Sequence, residues 1–95
     1  MQAIAHRKIV ETFPGMIAEG WRYRGCYIEQ LGPVPFFFLR FHKQIMDRLA
    51  YAELQIAVEK VNDPFFDFRG WVSRELQVHD LRMRERRQRE LDTAA

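Results

Sequence analysis

Residues 21–42 read WRYRGCYIEQLGPVPFFFLRFH, and this stretch decides the fold. Its first half, residues 21–31, is rich in aromatics and roughly alternating, which predicts a strand. LGPVP at 31–35 holds two prolines and a glycine, which makes a turn. Residues 36–42, FFFLRFH, read as a second strand, antiparallel to the first. Three consecutive phenylalanines suit a strand buried on both faces at its start. Gly25, inside the first strand, marks a bulge.

Register follows from segregating the buried face. Pairing odd positions with odd gathers Trp21, Tyr23, Tyr27, Leu31, Phe37, Leu39 and Phe41 on one face. Arg22, Arg24, Cys26, Arg40 and His42 then lie on the other, with Ile28, Phe36 and Phe38 toward the turn. The expectation is one apolar face and one face bearing a basic stripe. A two-stranded hairpin is marginal alone, so helices must cover the apolar face.

Working outward, residues 3–13 read as a first helix from the spacing of Ile9, Phe13 and Ile17 with Val10. Pro14 kinks or restarts it, and Gly20 is its C-terminal stop. Residues 43–62, KQIMDRLAYAELQIAVEKVN, read as a helix with two adjacent apolar stripes. One stripe is Ile45, Leu49, Ala52 and Ile56; the other is Met46, Ala50, Leu54, Ala57 and Val61. A third short strand can be accommodated but is not obvious. Residues 72–91 read as a last helix, with Val72, Leu76, His79 and Met83 on its inner side. The predicted fold is α+β: a kinked N-terminal helix, an antiparallel hairpin, then two helices, the last Arg-rich. It is one small domain over 1–95, with 84–95 expected to project or fray.

Composition agrees with one globular core and little else. The 95 residues are 47% hydrophobic and 29% charged, which excludes a disordered chain. The net charge of +2 is too small to mark a nucleic-acid binder by itself. The basic residues are 12 Arg and 3 Lys. Arginine suits planar, bidentate contacts at interfaces and on phosphates, although a GC-rich genome produces the same bias. One cysteine, Cys26, fits a reducing compartment. The first ten residues hold no signal-type apolar region, and the longest apolar run, 34–39, is far too short to cross a bilayer. A cytoplasmic protein without a membrane partner is expected.

No catalytic or cofactor motif stands out, and neither an enzyme nor a cofactor is expected. His6, His42 and His79 lack ligand spacing, so no metal site is expected. The five glycines form no phosphate-binding loop. In the odd-with-odd register Cys26 shares a face with His42 and Arg40, the only arrangement resembling a catalytic dyad, but it lacks an oxyanion device.

Three groups could bind a partner. Arg22, Arg24 and Arg40 make a basic hairpin face with aromatic neighbours. Phe65, Phe66, Arg69 and Trp71 belong to an aromatic run that reads either as a core plug or as an interface anchor. Arg82, Arg84, Arg86, Arg87 and Arg89 lie in the run 80–92, together with Asp80, Glu85, Glu90 and Asp92. There the pairs Asp80–Arg84, Glu85–Arg89 and Arg86–Glu90 compensate one another at i, i+4 spacing.

YRGCYIEQLGPVPFFFLRF followed by MDRLAYAELQIAVEKVND resembles, in style, the compact α+β proteins of phages and mobile elements, some of them anti-CRISPR or other counter-defence inhibitors. The resemblance covers about half the chain. It implies stoichiometric binding to a large host complex rather than catalysis. The expected function is therefore a non-enzymatic inhibitor or accessory subunit docking on a larger protein or nucleoprotein complex, as a monomer or homodimer. The groups for that role are the hairpin arginines and the 65–71 cluster. The alternative is direct nucleic-acid binding through the hairpin arginines and the C-terminal arginines, its phosphate contacts weakened by salt.

Overall fold

The computed structural model describes residues 20–94, together with Arg7 and Ile9. The chain is α+β. Strands β1 (Arg22–Leu31), β2 (Val34–Ile45) and β3 (Arg48–Ala57) form an antiparallel sheet in that order. Helices α1 (Val58–Asn62) and α2 (Phe68–Ala94) follow. Arg7 and Ile9 are helical, and the rest of the expected kinked N-terminal helix lies outside the described residues.

Both sheet turns use two central residues. In each the first has positive φ: Gly32 at 62° and Met46 at 55°. Gly32 takes this conformation freely, and Pro33 then fixes the second position. Met46 has no such freedom and holds a strained backbone.

The segment 43–62 is corrected by β3. Only Val58–Asn62 is helical; β2 continues to Ile45, and Arg48–Ala57 is a strand. Ala52, Leu54, Ile56 and Val58 are buried and alternate with exposed Tyr51, Glu53 and Gln55. This is a period of two, hidden among residues of high helix propensity. Propensity loses here because a third strand completes a sheet whose hairpin alone is marginal. It also pairs the otherwise open edge of β2 from Phe36 to Ile45. The last helix continues as helix to Ala94.

A bulge changes the register partway along the hairpin. Arg22 pairs His42 and Tyr23 pairs Phe41, but Gly25 then pairs Arg40 and Cys26 pairs Leu39. Odd-with-odd pairing therefore holds only before the bulge. Beyond it, Tyr27 and Leu31 leave the covered face while Cys26 and Ile28 join it. Gly25 sits at φ 110°, a conformation that side-chain-bearing residues rarely adopt.

The helices pack on one face. Phe37, Leu39, Phe41 and Ile45 of β2 and Ala52, Leu54 and Ile56 of β3 meet Val58 and Val61 of α1 and Phe68, Val72 and Leu76 of α2. Trp21 and Ile9 complete this core. Burying each of the large side chains contributes roughly 1.5–3 kcal/mol. At the margin of this interface Lys43 of β2 and Asp80 of α2 form a largely buried ion pair, to which Arg84 adds a second hydrogen bond. Burial pushes the Asp80 carboxyl up, but the hydrogen bonds from Lys43 and Arg84 outweigh it and hold the group below its ordinary value.

Candidate functional site

The other face of the sheet carries no helix among the described residues. On it, His42 sits opposite Tyr51, Arg40 opposite Glu53, and Phe38 opposite Gln55. From β1, Arg22 lies opposite His42, and beyond the bulge Tyr27 lies opposite Phe38. Arg22, Arg24, Arg40, Tyr51, Glu53 and Gln55 are exposed.

Rings organise this surface. Tyr27 and Phe38 stack with centroids 5.0 Å apart and planes 6° from parallel. Phe38 is thereby buried although it lies outside the main core. The Arg40 guanidinium sits 5.9 Å from the Tyr27 ring centre. Arg24 is the extra residue of the bulge and has no cross-strand partner. Freed from the ladder, it reaches across β2 to lie 5.2 Å from the centre of the Tyr51 ring. Arg24, Arg40, Tyr51 and Glu53 line one open depression of about 280 Å³.

A carboxylate is built into the patch. The Tyr27 hydroxyl donates to Glu53 Oε2 at 3.1 Å. Partial removal from water, then this hydrogen bond, raise the Tyr27 phenol above its ordinary pKa. Arg22, Arg24 and Arg40 make no ion pair with any described residue.

The structure thus brings Arg22, Arg24 and Arg40 to one face, as the alternation in the sequence requires. It separates Cys26 from them. Cys26 faces the core beside Tyr23, whose phenol is raised by burial and by a hydrogen bond with Cys26, while His42 is on the open face. The dyad of Cys26 with His42 and Arg40 is not assembled, because the bulge reverses the parity between them. Among the described residues no three His, Cys, Asp or Glu side chains gather as a metal site.

The aromatic run is divided by burial. Phe68 is core, at 2% exposure, while Phe65 stands in solvent at 96%. Phe66 and Trp71 are half-buried against the core with ring centroids 6.2 Å apart, and Lys60 lies over Phe66. Arg69 is exposed.

The C-terminal arginines are divided by charge pairing. Arg84 binds Asp80, and Arg87 binds Asp47 and Glu90. Glu90 also pairs with Arg48 at 3.3 Å. Of the three i, i+4 pairs expected from spacing, Asp80–Arg84 forms, while Glu85–Arg89 and Arg86–Glu90 do not. Arg82, Arg86 and Arg89 are exposed, make no ion pair with a described residue, and follow i, i+4, i+7 spacing along one strip of α2.

Tyr51, Glu53 and the Tyr27–Phe38 stack are members of the surface that reading 43–62 as a helix conceals. The alternation YAELQI at 51–56 is the signal that would have placed Tyr51 and Glu53 on it. No helix among the described residues is long and apolar enough to cross a membrane. Comparison of the chain with models of known families, with curated proteins and with solved structures finds no match.

Proposed function

We propose that this chain is a non-enzymatic binding protein: a small inhibitor or accessory subunit that docks on a larger protein or nucleoprotein assembly through the open face of its sheet. One observation carries the reading. Three exposed arginines share that face with no ion pair to a described residue, and two of them rest on rings. A guanidinium over a ring keeps its in-plane N–H fork available for bidentate contacts. Arginine and tyrosine are also enriched among residues that dominate binding energy. The resemblance to counter-defence proteins of phages and mobile elements supports a stoichiometric partner, and the single cysteine suits a cytoplasmic setting.

The test is copurification from the producing cells, followed by reconstitution of the complex from purified components. Arg24→Ala is expected to weaken that complex by about 2 kcal/mol, roughly thirtyfold, with an unchanged melting curve. Wild-type affinity in Arg24→Ala would overturn the assignment of the surface.

The strip Arg82, Arg86 and Arg89, ion-paired to no described residue, favours a second reading, contact with nucleic-acid phosphates. It requires binding to duplex DNA or RNA that falls steeply with salt and that is lost on replacing these three arginines with glutamine.

A further inference from the structure

Resting on the docking reading above, we infer that the partner presents an acidic protein segment to the sheet, its carboxylates received by Arg24 and Arg40. The two guanidinia line the same depression, and neither is ion-paired to a described carboxylate, the Glu53 beside them being held by the Tyr27 hydroxyl. Each is braced by a ring, Arg24 by Tyr51 and Arg40 by Tyr27, so less side-chain freedom is lost on binding. A carboxylate matches the guanidinium fork with two parallel hydrogen bonds. Arg22 extends the positive field along the same face.

A single strand of nucleic acid fits this surface less well. Binding a strand needs free ring faces on which bases stack. Here Phe38 covers one face of Tyr27, Arg40 lies over that ring, and Arg24 lies over Tyr51. Glu53 lies opposite Arg40 and lines the same depression, where it repels a phosphate backbone, which has no donor to answer it. A protein segment can answer Glu53 with a donor of its own, so mixed charge here selects a partner of mixed polarity with acidic groups opposite the arginines.

The experiment places benzoylphenylalanine at Gln55, on the open face, or at Leu81, on an exposed part of α2, in the full chain inside the producing cells. Illumination followed by mass spectrometry locates the cross-links. The expected result is a cross-link from Gln55 into a protein segment rich in Asp and Glu. Its yield should fall at least about tenfold in Arg24→Gln/Arg40→Gln, while the melting curve stays unchanged. Cross-links from Gln55 into a neutral or basic segment would overturn the acidic partner and leave the docking face standing. Protein cross-links from Leu81 alone would overturn the face itself. Cross-links from Gln55 to nucleic acid, or binding of a labelled dT20 strand that the double variant weakens, would overturn the acidic protein partner and leave the face as a nucleic-acid contact. No cross-link from either position would overturn both the acidic partner and the docking face.

Discussion

Arg87 of α2 grips Asp47 in the β2–β3 turn with both sides of its guanidinium. Nε donates to Oδ1 at 2.7 Å and an Nη to Oδ2 at 2.5 Å. The two residues are 40 positions apart, so this contact ties the far part of the last helix to the sheet. It holds in place a turn whose first central residue, Met46, is strained. The same guanidinium reaches Glu90 at 3.1 Å. Exposed ion pairs contribute little on average, but bidentate geometry is the exception in which they count.

A double-mutant cycle measures the tie. Arg87→Ala and Asp47→Ala are each expected to lower the melting temperature. The double variant should melt close to the worse single variant, because the second change has nothing left to break. Strict additivity of the two shifts would show that the contact contributes nothing. Partner binding should be unaffected by either change, since neither residue lies on the open face.

The same contact gives a pH dependence. The Arg87 hydrogen bonds hold the Asp47 carboxyl down to about 2, well under the ordinary 3.8. Asp80 is also lowered, against the pull of burial, by Lys43 and Arg84. A depressed folded pKa means that the unfolded chain takes up the proton first as pH falls. The stabilisation is therefore complete above about pH 4 and is lost between that point and about pH 2. Thermal melts at closely spaced pH values check this. Asp47→Asn should start lower at neutral pH and lose less across the acid window than the wild type. A parallel descent of the two curves would remove Asp47 from the account.

Gly25 tests the bulge that shapes the binding face. An added Cβ would meet no heavy atom within 4 Å, so space is available. The cost of Gly25→Ala is conformational, from φ 110°, and is expected at about 1–2 kcal/mol. Relaxation of the strand would also move Arg24, the bulge residue, away from Tyr51. Loss of stability in denaturant titration should therefore come with weakened partner binding. An Ala variant as stable as wild type would mean that the positive φ is not required.

How much of this could be read from residues alone depends on which signal was local. The hairpin, its prolyl turn and the placement of Arg22, Arg24 and Arg40 on one face follow from alternation and turn chemistry. The glycine bulge is also legible, but its effect on the register beyond it is not local. One extra residue reverses every later side chain of β1, which sends Tyr27 out and Cys26 in. β3 was obscured by composition. Ala50, Ala52, Leu54, Ile56 and Val58 satisfy a period of two, yet Glu53, Gln55, Glu59 and Lys60 favour helix, and the same apolar residues also satisfy i, i+4 stripes. The alternation YAELQI at 51–56 fits a strand, and the unpaired edge of β2, a tertiary demand, decides for it. The Arg87–Asp47 contact had no sequence signal, because both partners also had nearer candidates for pairing.

The aromatic run 65–71 can be separated into fold and interface by two substitutions. Phe68 is enclosed by the core, and Phe68→Ala is expected to cost about 3–5 kcal/mol through lost burial and the cavity left behind. Phe65 buries almost nothing, so Phe65→Ala should change stability by less than about 0.5 kcal/mol. Its backbone N–H is held by Asp63 Oδ1 at 2.9 Å, which fixes where the ring projects and survives the substitution. Phe65→Ala is therefore a clean probe of binding in a way that Trp71→Ala, half-buried against the core, is not. If the run contributes to the docking surface, Phe65→Ala weakens the reconstituted complex while its melting curve overlays that of the wild type. If the complex is unaffected, the run serves the fold through Phe66, Phe68 and Trp71, and the open sheet face carries the binding without it. Chemical denaturation of Phe65→Ala and Phe68→Ala in parallel, with affinity measured on Phe65→Ala, decides between these roles.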